Sequence, residues 1–293
     1  MTAWIVSWAN ARRSTGARSP FATATAFVTP PRSHVITLDM ARTDFTTPRL
    51  CLDDDLAEGR ALALAPEPAN YLVNVLRLGA GARVLAFNGR DGEFAATLDP
   101  MSRKRAALVV GERIRPQEFP PDVDYLFAPL KHARLDYIAQ KAVEMGARSL
   151  RPVITRHTQV ARVNLDRLRA NAIEACEQCG VIWTPEIAPV EPLTETLRRW
   201  PPERLLVFCD EEADQASPLD ALGSAHAAGG VGLLIGPEGG FDDGERAAIL
   251  SAPRVLRLSL GPRILRADTA AVAALALIQA TLGDWPKMRR GEP

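Results

Sequence analysis

The sequence predicts an α/β protein with a small β-barrel in front of it, on three observations. From residue 124 to 283 short apolar runs alternate with helical ones, the pattern of a mostly parallel sheet flanked by helices. From 47 to 115 short strand candidates crowd around Asn88-Gly89, a dipeptide that favours a tight hairpin. Near the C-terminus two glycine-proline loops, Gly236–Phe241 and Gly261–Thr269, each follow an apolar run and open a helix. Loops at the carboxyl ends of strands are where sheets of this kind hold ligands.

Composition sets the bounds. The 293 residues suit two modest domains, and 47% hydrophobic with 24% charged residues is the content of an ordinary globular protein. The net charge is zero, so an anionic partner has to be met by local basic patches. No apolar run reaches the roughly 18 residues of a membrane span, which argues against a membrane partner. Four scattered cysteines (Cys51, Cys176, Cys179 and Cys209) point to a reducing, cytoplasmic setting without disulfides. Cys176-Glu177-Gln178-Cys179 is formally a C-x-x-C pair, but it lacks a second pair at zinc spacing and reads as the end of a helix. No metal site is expected.

In chain order, residues 1–39 read as a flexible N-terminal extension. Residues 1–38 carry four Arg and no Asp or Glu, a composition that resembles an organelle transit peptide. Met40 stands just ahead of the first domain-like sequence, so an over-long start is the simplest reading.

Residues 40–115 read as the barrel. Its strands are expected at Arg49–Leu52, Arg60–Ala65, Arg83–Phe87, Glu93–Leu98 and Ala106–Ile114. A helix over Pro68–Leu78 would place Leu72, Val75 and Leu76 on one face. Residues 116–122 are a proline-rich linker.

Residues 123–286 form the α/β domain, and 287–293 a tail. Strands are expected at Asp124–Leu130, Leu150–Thr155, Leu205–Asp210, Val231–Ile235 and Arg254–Leu260, with helices over Leu135–Gly146 and Val163–Gly180. Asp242-Asp243-Gly244-Glu245 fits a capping box and starts a helix after the first loop. The last helix runs Ala270–Leu282, with Gly283 at C′; being apolar nearly all round, it should be buried deeply.

Gly236, Gly239, Gly240 and Gly261 lack a Cβ, so their amides can approach a ligand closely, and Pro237 and Pro262 stiffen the loops. Neither loop has the spacing of a dinucleotide or P-loop fingerprint. Two tight turns without a ligand remain the plain alternative.

IGPEGGF (235–241) followed by LGPRILRADTA (260–270) resembles the signature pair of the RsmE family, S-adenosylmethionine-dependent methyltransferases of N3 of a uridine in small-subunit ribosomal RNA. Lys131-x-x-Arg134, Gln140–Gly146 and Ile173–Gly180 are similar to further family motifs, and the likeness covers about 47–285. Three positions depart from it: Asn70 stands where His is common, Val181 where Arg is usual, and Asp268 where Glu is more frequent. The resemblance implies a SPOUT-type methyltransferase domain whose C-terminal trefoil knot holds the cofactor, preceded by a PUA-like RNA-binding barrel. It also implies a homodimer formed through the C-terminal domain.

On that resemblance S-adenosylmethionine is the expected cofactor. Leu234, Gly236, Glu238, Gly239, Gly240, Leu260, Gly261, Ile264 and Leu265 are its expected contacts. Arg103, Lys104, Arg105, Lys131, Arg134 and Arg263 are the expected contacts to ribosomal RNA, by pairing with phosphates. Methylating uridine N3 requires removal of a weakly acidic proton, alignment and exclusion of water. Arg266 is the first catalytic candidate, because a permanent cation can stabilise the developing uridine anion; capping carbonyls or pairing with Asp268 is the alternative. Glu238 is the second candidate, as proton acceptor, unless it only bonds backbone amides. His132, His157 and His226 lie in segments without convergent partners and are given no catalytic role.

Other readings are a SPOUT enzyme with a different target atom, or a non-catalytic RNA-binding protein of ribosome assembly. A nicotinamide oxidoreductase would need a GxGxxG after an early strand, and none is present.

Overall fold

The computed structural model describes residues 44–102, 105–131, 133–160, 162–214, 217–227 and 229–285. The extension 1–39 and the tail 287–293 lie outside the described residues.

The first part is a five-stranded sheet in the order β1 (Arg49–Cys51), β3 (Arg83–Phe87), β4 (Glu93–Ser102), β5 (Arg105–Arg115) and β2 (Ala61–Ala63). β1 pairs parallel with β3 and the other neighbours are antiparallel. Leu62, Val84, Phe94, Leu98 and Leu108 fill its core. The hairpin signal holds: Asn88 Oδ1 accepts the amides of Arg90 (3.0 Å) and Asp91 (2.9 Å), with Gly89 and Gly92 at positive φ. The helix differs from expectation. A short α1 (Pro66–Asn70) runs into a π turn over Tyr71–Val75, closed by the Leu76 amide on the Tyr71 carbonyl. The wider turn rotates the later positions outward, so Leu72 is buried while Val75 is 61% exposed.

The second part alternates strand and helix. It comprises β6 (Val123–Phe127), α2 (Ala133–Glu144), β7 (Ser149–Ile154), α3 (Leu165–Cys179), β8 (Glu186–Ile187), β9 (Glu191–Pro192), α4 (Leu193–Arg198), β10 (Leu205–Cys209), α5 (Pro218–Gly223), β11 (Val231–Ile235), α6 (Asp243–Leu250), β12 (Val255–Leu258) and α7 (Ala267–Thr281). The main sheet is parallel, in the order β12-β10-β11-β6-β7-β8. β6 and β11 are central and buried along their whole length, which is why β11 reads as an apolar run and β6 as one interrupted only by Asp124, whose charge is met by Arg148 and Arg204. Gly232 in β11 is required by packing: a Cβ there would lie 2.2 Å from the Trp200 ring. The short β8, β9, α4 and α5 had no clear periodicity to announce them.

α7 lies on the sheet against β11, α2 and α5. It is not buried all round as its composition suggested. Ala271, Ala274, Leu275 and Ile278 are fully buried, whereas Val272, Ala273, Ala276 and Leu277 stay half-buried, because a helix in the outer layer has neighbours on one side only. Gly283 follows the helix as expected, without a positive φ; it is there because a Cβ would collide with Gln279.

The two parts meet along a polar seam. Buried Glu93 holds Arg49 at 2.8 Å and Arg115 at 3.4 Å. Arg115 also donates to the Gly180 carbonyl at the end of α3 (3.0 Å), where Gly180 takes a left-handed φ of 69°. Gln117, in the segment 116–122, donates to the Ile182 carbonyl at 3.3 Å, and Glu177 on α3 accepts the Cys51 amide at 2.9 Å. That segment therefore docks one part onto the other. Arg115 thus spends its charge on the seam.

Candidate functional site

Four loops gather at the carboxyl end of the parallel sheet, because parallel strands end together. They follow β6, β7, β11 and β12. The loop after β11 turns back on itself, with the Gly240 amide on the Pro237 carbonyl at 2.9 Å. Gly240 has a φ of 70°, reached without strain by glycine. Gly236 serves a purpose that the sequence did not show: a Cβ there would lie 2.7 Å from the Phe241 ring, which packs edge-on against Phe208 at 5.4 Å. That ring anchors the far end of the loop to the sheet. α6 begins directly after it with the expected capping box: Asp242 accepts the Glu245 amide at 2.7 Å and Glu245 accepts the Asp242 amide at 3.1 Å.

The turn projects Glu238 outward, where Arg134 meets it at 2.7 Å. Arg134 opens α2 from the loop after β6, beside the exposed Lys131. Two sequence candidates on separate elements are thereby joined, and the Glu238 carboxylate is engaged by a guanidinium rather than by backbone amides.

The loop after β7 arrives from the other side. The Arg156 amide donates to Glu245 at 2.7 Å, and His157 places Nδ1 3.1 Å from the Gly240 carbonyl. A Cβ on Gly239 would lie 3.1 Å from the His157 Cβ. His157, without convergent partners in the sequence, lies against the glycine pair of the turn. No sequence signal announced this, since 83 residues separate the two partners. A cleft of about 370 Å3 between Thr155, Arg156, Leu193 and Glu245 borders the loop.

The loop after β12 carries Leu260, Gly261, Arg263, Ile264, Leu265 and Arg266. Gly261 has a φ of 100° with open space around it, and Ile264 is 94% exposed. Arg263 and Arg266 are exposed and have no side-chain partner among the described residues. The carboxylate of Asp268 takes the Thr269 amide, not Arg266. Leu234, an expected cofactor contact, is instead wholly buried in the cluster with Phe208 and Ile249, in a strand paired on both sides, so its side chain is core. Arg105 is exposed at the start of β5; Arg103 and Lys104 lie outside the described residues, as does His132.

The base of the site is held by ion pairs. Asp210, at the end of β10, receives Arg246 of α6 at 2.7 Å and Arg257 of β12 at 2.6 Å. Burial alone would push the Asp210 carboxyl up, but the hydrogen bonds from Arg246 and Arg257 outweigh it and hold it below its ordinary range. Burial pushes the thiols of Cys51 and Cys209 up to about 12, so neither is a ready nucleophile. Among the described residues no cluster of three metal-ligating side chains occurs. A larger cavity, about 540 Å3, lies at the opposite end of the sheet, where Arg148 and Arg204 pair with Asp122 and Asp124, and Arg199 with Glu191.

Two family models match the chain. Residues 117–279 match the family model of an RNA methyltransferase domain, and 65–111 that of an RNA methyltransferase PUA domain. Ribosomal RNA small subunit methyltransferase E of Rickettsia conorii is 28% identical over 79% of this chain and 94% of its own length. The protein of that name from Synechocystis is 30% identical over 75% and 73%. The crystal structure of the Neisseria gonorrhoeae ribosomal RNA small subunit methyltransferase E, bound to S-adenosylmethionine, superposes with a TM-score of 0.72 at 29% identity, covering 82% of this chain and 99% of that one.

Proposed function

The chain belongs to the ribosomal RNA small subunit methyltransferase E family, and we propose that it transfers the methyl group of S-adenosylmethionine to N3 of a uridine in small-subunit ribosomal RNA. The observation that carries this is the meeting of the Gly236–Phe241 loop with Arg134 and His157 at the carboxyl end of the sheet, beside the loop of Arg263 and Arg266.

The residues present fit the cofactor. Gly240 and Gly261 have positive φ with nothing within 4 Å of an added Cβ, so their backbone is open to a ligand. Ile264, left 94% exposed, offers an apolar wall that water covers poorly. Leu260 and Leu265 flank it, while Gly236, Glu238 and Gly239 shape the opposite rim. When bound, S-adenosylmethionine supplies a methyl group on a sulfonium.

Arg266 stabilises the negative charge that develops on the uracil ring as N3 loses its proton. Lys131, Arg134, Arg263 and Arg105, with Arg103 and Lys104, hold backbone phosphates. Residues 40–115 act as the RNA-binding part and 123–286 as the catalytic one, joined through 116–122. The C-terminal segment forms the family's trefoil knot, a reading supported by β12 at the sheet edge and α7 against α2 and α5, which carry 259–266 past the ends of β10 and β11. The half-buried flank of α7, with Val272, Ala273, Ala276 and Leu277, is the surface through which two copies pair. A cytoplasmic location follows from the ribosomal substrate.

The test compares reverse-transcription stops on small-subunit ribosomal RNA with and without the gene. A methyl at N3 removes the Watson–Crick donor and blocks copying. One stop should vanish in the deletion strain and return with purified enzyme and S-adenosylmethionine; an unchanged pattern of stops overturns the proposal.

A further inference from the structure

The tautomer of His157 is set by its partner. The Gly240 carbonyl offers only lone pairs, so Nδ1, 3.1 Å away, has to carry the hydrogen. In the neutral ring that leaves Nε2 as a bare acceptor, the arrangement in which a carbonyl orients an imidazole for proton transfer. The ring reaches the loop only because position 239 is glycine: a Cβ there would stand 3.1 Å from the His157 Cβ and 3.4 Å from Cγ. Among the described residues Nε2 has no hydrogen-bond partner, and His157 is exposed to whatever approaches the turn.

The other acceptors at this rim are engaged. Glu238 holds Arg134 at 2.7 Å. Asp242 and Glu245 are tied to each other's amides, and Glu245 also takes the Arg156 amide. Asp268 binds the Thr269 amide at the start of α7. A base is nevertheless required, because the N3–H of uracil is a weak acid, and a guanidinium such as Arg266 cannot accept the proton.

We propose that His157 is the proton acceptor of the methyl transfer, an assignment that rests on the uridine-N3 reading above. In the step, the N3–H bond breaks and its proton passes to Nε2. The electron pair left on N3 forms the new N–CH3 bond, while the pair of the broken S–CH3 bond stays on sulfur. The resulting imidazolium keeps its Nδ1–H on the Gly240 carbonyl and returns the extra proton to water. Positioned general bases contribute about 100- to 10,000-fold to rate.

His157→Asn separates the two nitrogens. An Asn amide reaches about as far as Nδ1 and can donate to the Gly240 carbonyl, but it has no basic atom in place of Nε2. Calorimetric titration should give an S-adenosylmethionine affinity within about threefold of wild type, with single-turnover methylation lower by about a hundredfold or more. His157→Ala, which loses both functions, should weaken cofactor binding as well. Nitrogen-15 NMR of the full chain, with His157 identified by its loss in the Asn variant, should show the Nδ1–H tautomer. Methylation by His157→Asn within about threefold of wild type at saturating cofactor overturns the proposal, as does an Nε2–H tautomer. If the Asn variant binds the cofactor weakly yet turns over normally, His157 only braces the loop, and the proposal falls. Product analysis of the wild type separates this from the parent reading: methylation at an atom other than N3 refutes the reaction itself.

Discussion

Arg134 and Glu238, 104 residues apart, meet at 2.7 Å and join the loop after β6 to the turn after β11. Both side chains are more than a third exposed, at 38% and 43%, so water screens the pair. Exposed pairs of this kind contribute about 0–1 kcal/mol to stability. The contact matters for placing a positive charge beside the glycine turn. Arg134→Ala should therefore leave the melting temperature almost unchanged and weaken ribosomal RNA binding, with the slope of log affinity against log salt reduced by about one. A large loss of stability in a thermal scan would show the pair to be structural instead.

Removing the charge of Arg266 should act on turnover and not on cofactor affinity. The side chain has no partner among the described residues, so Arg266→Ala breaks no fold contact there. Losing one electrostatic contact to a developing anion costs on the order of 3–4 kcal/mol, about a hundred- to a thousandfold in rate. Calorimetry beside single-turnover methylation checks it: lost cofactor binding, or near-normal methylation, would reassign Arg266.

Gly239→Val should lose S-adenosylmethionine binding. The first added carbon already stands 3.1 Å from His157, and the branches of valine force either the ring or the turn to move. Calorimetric titration is the measurement, with a thermal scan to confirm that the chain still folds.

Asp210→Asn should destabilise the domain by about 3 kcal/mol, because it leaves Arg246 and Arg257 facing an uncharged partner at a buried position. The sign with pH follows from a carboxyl held below its ordinary range. The stability it contributes is present above the unfolded pKa and is lost as pH falls through the folded one. Urea unfolding should show the difference between wild type and variant at pH 7 and its shrinkage in acid.

Glu177 should behave in the opposite sense. Burial first, opposed by the Cys51 amide and aided by Glu174, raises its carboxyl from 4.5 to about 7. The folded state thus holds its proton more tightly than the unfolded chain. Stability from this group is full below pH 4.5, falls as pH rises and is gone above about 7. Glu177→Gln keeps an oxygen for the Cys51 amide without the charge. It should gain stability over wild type at pH 8, on the order of 2–3 kcal/mol, and little at pH 4. Equal denaturation midpoints at pH 8 would contradict this.

Periodicity and turn chemistry alone determined most of the scaffold. Val231–Ile235 and the β6 run read as strands because both faces are buried, so nearly every position is apolar, the paired Asp124 excepted. The hairpin at Asn88 and the capping box at Asp242 were legible because each is a local bond between residues two or three apart. The π turn was not, since a single wider turn leaves the residue types unchanged while rotating Val75 to the surface. The glycine loops marked the site through composition and resemblance, but their partners came only with the fold. Arg134 on Glu238, His157 on Gly240 and Arg115 on Gly180 join residues 65 to 104 positions apart. Such pairs are fixed by the order of strands in the main sheet and, for Arg115, by how the two parts dock, and a hydrophobic pattern carries no record of either.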